Sequence, residues 1–196
     1  MSKKFPNRLS TSKKTEIAQN LVDILDKNTK IMPLTRDFIR TWVQQPDGQG
    51  KEKVFYDVWD LVLKKYMPDT RPTLFRSCKR RGKDGKIVSF TGQLECVWKF
   101  SRDKGLLIAC DTKKTLLMEE NNSQVGQYKH TFYPLVRILE KARDSGGWGF
   151  SKRFLDEYIG EDEYIMRLNL DNMYCFKRKY NTPHKLDNYK SATFES

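Results

Sequence analysis

The spacing of apolar residues changes at Arg71-Pro72, and this change constrains the possible folds more than any other feature of the chain. Before it, apolar side chains recur every three or four residues in three segments, which predicts three helices. The first helix begins at about Thr15. The second begins after Pro33, with Thr35 as its N-cap, and ends near Gln45. The third extends from Lys53 to about Tyr66. After it, short apolar runs between turns predict mainly strands. Helices followed by strands predict an α+β fold.

The second part of the chain contains five predicted strands, over residues 73–75, 87–90, 106–110, 164–168 and 173–176. Helices are predicted over residues 94–100 and 131–143, and a short helix or turn is predicted at Phe154-Leu155. We therefore divide the chain into a basic disordered arm (1–12), a helical N-terminal region (13–70), a mixed β-sheet core (71–180) and a tail (181–196).

The composition argues against several classes of protein. With 196 residues, 38% of them hydrophobic, the chain can bury one substantial core. It has no run of about 18 apolar residues, and no apolar segment follows its basic N-terminus, so we expect a soluble cytoplasmic protein. Four widely spaced cysteines and two histidines do not fit a zinc site. The sequence also lacks a phosphate-binding glycine loop and an HExxH motif.

The net charge of +12 is concentrated in three segments. Residues 1–14, 76–86 and 177–190 carry +5, +5 and +4, so the rest of the chain is slightly acidic. Such runs favour association with nucleic acid or with an acidic surface. For the two terminal runs, a solvated tail explains the charge at least as well. For residues 76–86, between two predicted strands, we favour attraction to a phosphate-bearing ligand.

Three short motifs in the β region carry side chains suited to binding or catalysis. Arg76 follows the strand at 73–75, where a guanidinium can hold a phosphate through two hydrogen bonds. Ser89 and Thr91 alternate along the next strand, so both hydroxyls project to one face. Glu161 and Glu163 would project to one side of an extended chain. Two carboxylates so close raise each other's pKa, which is energetically unfavourable unless a function or a bound cation requires both. Each motif alone is commonly a solvated surface feature, and it is their order that is informative.

That order resembles the R-S-E signature of arginine-modifying mono-ADP-ribosyltransferases. The stretch from Pro72 to Arg76 resembles the family's aromatic–Arg strand, and the stretch from Glu161 to Ile165 resembles its catalytic turn. The number of residues between the Ser-x-Thr strand and Phe100, at the end of an apolar helix, is similar to the family's spacing between its Ser and Phe residues. In length and layout, the chain is similar to the small Alt/Mod-type transferases of tailed bacteriophages. The motifs cover roughly residues 70–170.

The resemblance implies a core like that of the ADP-ribosyltransferases, with NAD as the donor substrate and no metal. Glu163 would stabilise the oxocarbenium-like transition state, and Glu161 would hold the acceptor arginine of a target protein and take its proton. Arg76 would hold the NAD phosphates or ribose. Ser89 would orient Glu163 and the ribose, and Thr91 would brace the strand. A phage enzyme of this kind would modify proteins of its host.

Other readings of the sequence stay open. Ser77 follows Arg76 where the family often has glycine, Gly92-Gln93 replace hydroxyl residues of the phage proteins, and residues 112–160 show no family motif. The basic segments would also suit a nucleic-acid-binding protein without enzymatic activity. A transferase that modifies a nucleic-acid acceptor is a third possibility. Salt-sensitive binding of nucleic acid without NAD turnover would indicate a nucleic-acid-binding protein and not an ADP-ribosyltransferase.

Overall fold

The computed structural model describes residues 5–45, 51–79, 82–100, 105–178 and 189–191. Three helices come first: α1 (Thr11–Asp26), α2 (Pro33–Gln44) and α3 (Lys53–Lys65). The Ser10 hydroxyl accepts a hydrogen bond from the Lys13 amide and caps α1. Phe5 is buried against Phe38 and Phe55, so part of the predicted arm belongs to the helical region. The prediction that all of residues 1–12 are disordered is therefore wrong, while residues 1–4 lie outside the described part.

From residue 71 onward, the described residues form a seven-stranded sheet with short helices between its strands. The strands are β1 (Thr73–Cys78), β2 (Ile87–Thr91), β3 (Leu106–Asp111), β4 (Phe132–Pro134), β5 (Glu163–Arg167), β6 (Tyr174–Arg178) and β7 (Tyr189–Ser191). Their order across the sheet is β4-β5-β2-β1-β3-β6-β7. Each pairing recorded between these strands is antiparallel. The α+β class is confirmed, but the sheet is antiparallel where we predicted a mixed one.

In the described part of the chain, four further α-helices connect the strands, and a 3₁₀ helix (Leu170–Asn172) lies between β5 and β6: the α-helices are α4 (Leu94–Phe100), α5 (Thr112–Asn122), α6 (Leu135–Asp144) and α7 (Lys152–Ile159). The predicted helix over 131–143 is partly wrong, because its first residues form β4. Helix α5 was not predicted. Thr35 is also not the N-cap of α2, since the helix begins at Pro33 and Thr35 lies buried inside it.

The two faces of the sheet cover two hydrophobic clusters. Ile87, Tyr133 and Ile165 project from β2, β4 and β5 into the larger cluster, which also holds the buried faces of α1, α2, α3, α6 and α7. Alternating residues such as Val88, Phe90 and Met166 project into the smaller cluster on the other face. The helical region and the sheet therefore share one core, and the predicted boundary at residue 70 does not separate two packing units.

The predicted tail, residues 181–196, contains β7, which pairs with β6 at Lys177↔Lys190. Residues 181–188 and 192–196 of that tail lie outside the described residues. Among the residues that are described, no helix is both long enough and apolar enough to cross a membrane.

Candidate active site

Glu163 opens strand β5, and its carboxylate is held inside the protein by two donors. The side chain is 9% exposed. Its Oε1 accepts hydrogen bonds from the hydroxyl of Ser89 and from the indole Nε1 of Trp42, the latter at 2.9 Å. Ser89 pairs with Ile165 across β2 and β5, so it lies on the same face of the sheet as Glu163. The carboxylate is thereby fixed in position by a strand on one side and by helix α2 on the other.

Arg76 extends this arrangement to a third strand. Its guanidinium Nη1 donates a hydrogen bond to the backbone oxygen of Ser89 at 2.5 Å. Arg76 therefore contacts the main chain of Ser89, and the Ser89 hydroxyl contacts Glu163, so hydrogen bonds connect residues of β1, β2 and β5 through both the main chain and the side chain of Ser89. Arg76 is the fourth of six residues in β1. The prediction that it lies at the end of its strand is wrong.

The strand register places the Arg76 side chain on the opposite face of the sheet from Glu163. It pairs with Ile108 of β3, whose side chain belongs to the smaller cluster, so Arg76 starts from the sheet face opposite to Glu163. The register recorded between β1 and β2 consists of the pair Phe75↔Thr91. We infer that the guanidinium reaches the Ser89 oxygen between these two strands.

Thr91 lies opposite Glu163 in the sheet, but its hydroxyl forms hydrogen bonds with the main chain of Gln93. It pairs with Glu163 across β2 and β5 and is buried. Its hydroxyl accepts a hydrogen bond from the Gln93 amide at 3.1 Å, which stabilises the turn into α4. The common face predicted for Ser89 and Thr91 is confirmed, with Phe90 in the smaller cluster on the other face.

Glu161 is not part of an extended chain. It lies half-buried in the turn between α7 and β5, and Asp162 adopts a left-handed backbone conformation with φ of 50°. The prediction that Glu161 and Glu163 project to one side because the chain is extended is therefore wrong in its reasoning. Burial, together with the negative charges of Glu157, Glu161 and Glu163, raises the pKa of the Tyr158 phenol.

The turn that carries Glu161 is attached to the end of β2. The Gly92 amide donates a hydrogen bond to the Asp162 backbone oxygen at 3.3 Å, and a Cβ at Gly92 would come within 2.4 Å of an Asp162 carboxylate oxygen. Burial raises the pKa of Asp162, although a hydrogen bond with Tyr164 partly opposes this. Gly92 thus leaves room for this turn.

Sequence reasoning missed two residues of the site, Trp42 and Lys51. Trp42 belongs to the apolar stripe of α2 and is fully buried, as a core residue would be. Lys51 lies with its ammonium 3.5 Å from the centre of the Trp42 ring, and it donates to the Trp42 backbone oxygen at 3.1 Å. A buried indole usually finds an acceptor for its N–H, which is the one signal that could have pointed to Trp42.

Trp42 and Trp59 form a matched pair for testing the hydrogen bond to Glu163. Both rings are fully buried and in contact with one another, but the Trp59 N–H has no hydrogen-bond partner among the described residues. We expect Trp42→Phe to lower the rate of the reaction proposed below by about 10-fold or more, since a hydrogen bond to a charged group is worth about 1.5–3 kcal/mol. Trp59→Phe should leave that rate within about threefold of wild type. Equal losses in both variants, after matching for folded fraction, would contradict a specific role of Trp42.

Groups of three or more metal-ligating side chains do not occur among the described residues. No protein-family model, no curated protein and no solved structure matches this chain.

Proposed function

We propose that the chain is a mono-ADP-ribosyltransferase that moves ADP-ribose from NAD to an arginine of a target protein. The observation that carries this proposal is the hydrogen-bonded chain from Arg76 through Ser89 to Glu163. These three residues come from three neighbouring strands, and they are the same three that the R-S-E resemblance selects. A solvated acidic turn would not need a buried carboxylate that two side chains hold.

The proposed reaction breaks the bond between nicotinamide and the ribose C1′, and it forms a new bond from C1′ to an arginine nitrogen. Nicotinamide leaves with the electron pair of the broken bond, and C1′ carries positive charge in the transition state. A carboxylate held in advance stabilises that charge without having to reorganise. Glu163 meets this requirement, because Ser89 and Trp42 fix its Oε1.

The acceptor needs a separate group, because a guanidinium is protonated at ordinary pH and is a poor nucleophile. In the proposal, Glu161 holds the acceptor and takes its proton. Its place two residues before Glu163, in the half-buried turn that leads into β5, supports this role. Thr91 supports the end of β2. NAD is the donor substrate and no metal takes part.

Arg76 is proposed to bind the phosphates or ribose of NAD, and Arg76→Ala tests this. We expect the variant to bind NAD about 10- to 100-fold more weakly, since a charged bidentate contact is worth about 1.5–3 kcal/mol. Calorimetric titration with NAD measures the change, and thermal unfolding checks that the variant folds. Arg137→Ala is the matched control, because Arg137 is an exposed arginine of α6 that pairs with Asp69. Unchanged NAD affinity in a folded Arg76→Ala protein would refute the assignment.

The proposal extends to partners and location. The target carries an acceptor arginine, and the basic segments would strengthen its association if it is acidic or bound to nucleic acid. The enzyme would act in the cytoplasm, which would be that of the host cell if the protein is phage-encoded.

Incubation of a cell lysate with the protein and labelled NAD, followed by mass spectrometry of the labelled residues, tests the proposed function. ADP-ribose on arginine supports it. Label on nucleic acid would instead support the nucleic-acid acceptor, and absence of label together with absence of nicotinamide release would favour a binding protein without enzymatic activity.

A further inference from the structure

Lys51 is a buried cation beside the candidate site. It is 9% exposed, and burying an ammonium group is costly unless partners replace the water that it loses. Two of its contacts are made with one residue, Trp42. The ammonium lies 3.5 Å from the centre of the indole ring, and it also donates to the Trp42 backbone oxygen at 3.1 Å. Lys51 is thereby attached to a side chain that holds Glu163.

Trp42 connects the ammonium of Lys51 to the carboxylate of Glu163. The ammonium lies over the face of the indole, and the Nε1 at the ring edge donates to Oε1 of Glu163 at 2.9 Å. The two opposite charges are therefore separated by a single aromatic ring. A cation on the electron-rich face of a ring draws electron density away from its edge, which makes the N–H a stronger donor. Lys51 can thus act on Glu163 both through space and through Trp42.

The other acidic groups around Glu163 oppose its ionisation. Glu163 is itself 9% exposed, and burial disfavours the charged form of a carboxyl group. Glu161 adds a second carboxylate in the preceding turn. On α7, the Tyr158 phenol has a pKa that burial and the charges of Glu157, Glu161 and Glu163 raise, so it is neutral at neutral pH. A nearby cation is therefore needed to keep Glu163 in the charged form that the proposed reaction uses.

The cation on the sheet side, Arg76, cannot fill this role during the reaction. Its Nη1 donates to the Ser89 backbone oxygen, and in the proposed function its charge is compensated by the phosphates of NAD. Lys51 approaches from the opposite side, behind the Trp42 ring. On α3, the ring of Tyr56 also contacts Trp42, edge-on and with 6.2 Å between the ring centres. Lys51 is thus a cation that bound NAD would leave uncompensated.

We propose that Lys51 is a positioning residue that fixes the Trp42 ring and favours the ionised form of Glu163. The inference rests on the proposed function, because it assigns Lys51 to the same reaction. A purely structural role is the alternative. Trp42 lies in the last turn of α2, where backbone oxygens lack helical partners, so Lys51 could simply cap that helix.

The pH dependence of nicotinamide release separates the two roles. We measure it between about pH 5 and pH 9 for wild type and Lys51→Met. Without the cation, protonation of Glu163 becomes easier, so the pH at which the rate falls to half on the acid side should rise by about one unit. The loss of rate should be largest at acid pH and shrink toward alkaline pH. Loss of a helix cap alone would lower the folded fraction without moving this midpoint.

Three further variants complete the comparison. Lys51→Gln removes the charge but can still donate to the Trp42 oxygen, so it should shift the midpoint in the same direction even if Lys51→Met folds poorly. Lys51→Arg keeps a cation that can stack on the indole, and it should restore most of the wild-type profile. Lys53→Met removes an equal charge from an exposed residue of α3, and its profile should match that of wild type.

Urea unfolding at about pH 7 tests the same contact without NAD. Lys51→Met, Glu163→Gln and the double variant form a cycle that isolates the interaction between the two residues. We expect Lys51→Met to lower the urea midpoint less in the Glu163→Gln background than in wild type, because the favourable charge pair is already absent there.

An unmoved acid midpoint in folded Lys51→Met and Lys51→Gln proteins would overturn the proposal. So would equal losses of urea midpoint in the two backgrounds, which would leave Lys51 as a helix cap. If wild-type protein releases no nicotinamide, the proposed enzymatic function fails, and the unfolding cycle still decides whether Lys51 and Glu163 interact. The two failures are therefore distinguishable.

Discussion

Glu163→Gln should reduce nicotinamide release from NAD by about 10²–10³-fold or more, both with and without an arginine acceptor. Every reaction of NAD in the proposed site passes through the positively charged transition state, and an electrostatic contact made there is typically worth this factor. Glutamine has nearly the same size, and its amide oxygen can still accept from Ser89 and Trp42. The variant should therefore fold, which thermal unfolding verifies.

Glu157→Gln is the matched control for this experiment. Glu157 lies on α7, close to the site in sequence, and is exposed to solvent. Its replacement removes the same charge from the neighbourhood of Tyr158 without touching the hydrogen-bonded chain. Wild-type rates of nicotinamide release in a folded Glu163→Gln protein, or equal losses in the two variants, would exclude Glu163 as the catalytic carboxylate.

Glu161→Gln should reduce the transfer of ADP-ribose to arginine while largely preserving nicotinamide release from NAD. We expect transfer to arginine to fall by about 10²-fold or more, because no carboxylate remains to take the proton of the guanidinium. Nicotinamide release into water should persist within a few-fold of wild type, since water needs no such group. The two rates are measured on one preparation, by chromatography of nicotinamide and by label on a small guanidino acceptor.

The Glu161 result is informative in either direction. Normal transfer to arginine would show that another residue serves the acceptor. Loss of both rates would mean that Glu161 acts on the donor as well. Only the separated outcome supports the assigned roles.

The parts of the fold that the sequence predicts are those with strong periodic patterns. The stripes of α1, α2 and α3 match a helical repeat, and the continuous apolar run at β3 has the length of a strand. Helix α5 was missed because its sequence, TKKTLLMEENN, has no continuous apolar stripe: Leu116 is buried, while Leu117 and Met118 are exposed. Strand β4 was missed because its three apolar residues run directly into α6.

The candidate site could be predicted only in part, because some of its contacts depend on tertiary packing and not on local sequence patterns. Arg76, Ser89 and Glu163 each lie on or beside a strand that local patterns indicate, so their proximity follows once the strands pair. The contact between Trp42 and Glu163 joins residues 121 positions apart, and it depends on how α2 packs against the sheet. Nothing in the local sequence specifies that packing. The turn at Glu161 was mistaken because its left-handed residue is Asp162, where the sequence has no glycine to indicate that conformation.

The central claim is that this chain cleaves NAD between nicotinamide and ribose, and direct measurement of that cleavage tests it most simply. Purified protein is incubated with NAD and a guanidino acceptor, and free nicotinamide is followed over time beside the same preparation of Glu163→Gln. We predict steady release by the wild-type protein, with an equal amount of ADP-ribose recovered on the acceptor or as the free sugar nucleotide, and almost none by the variant. Release no faster than the uncatalysed decay of NAD would contradict the account.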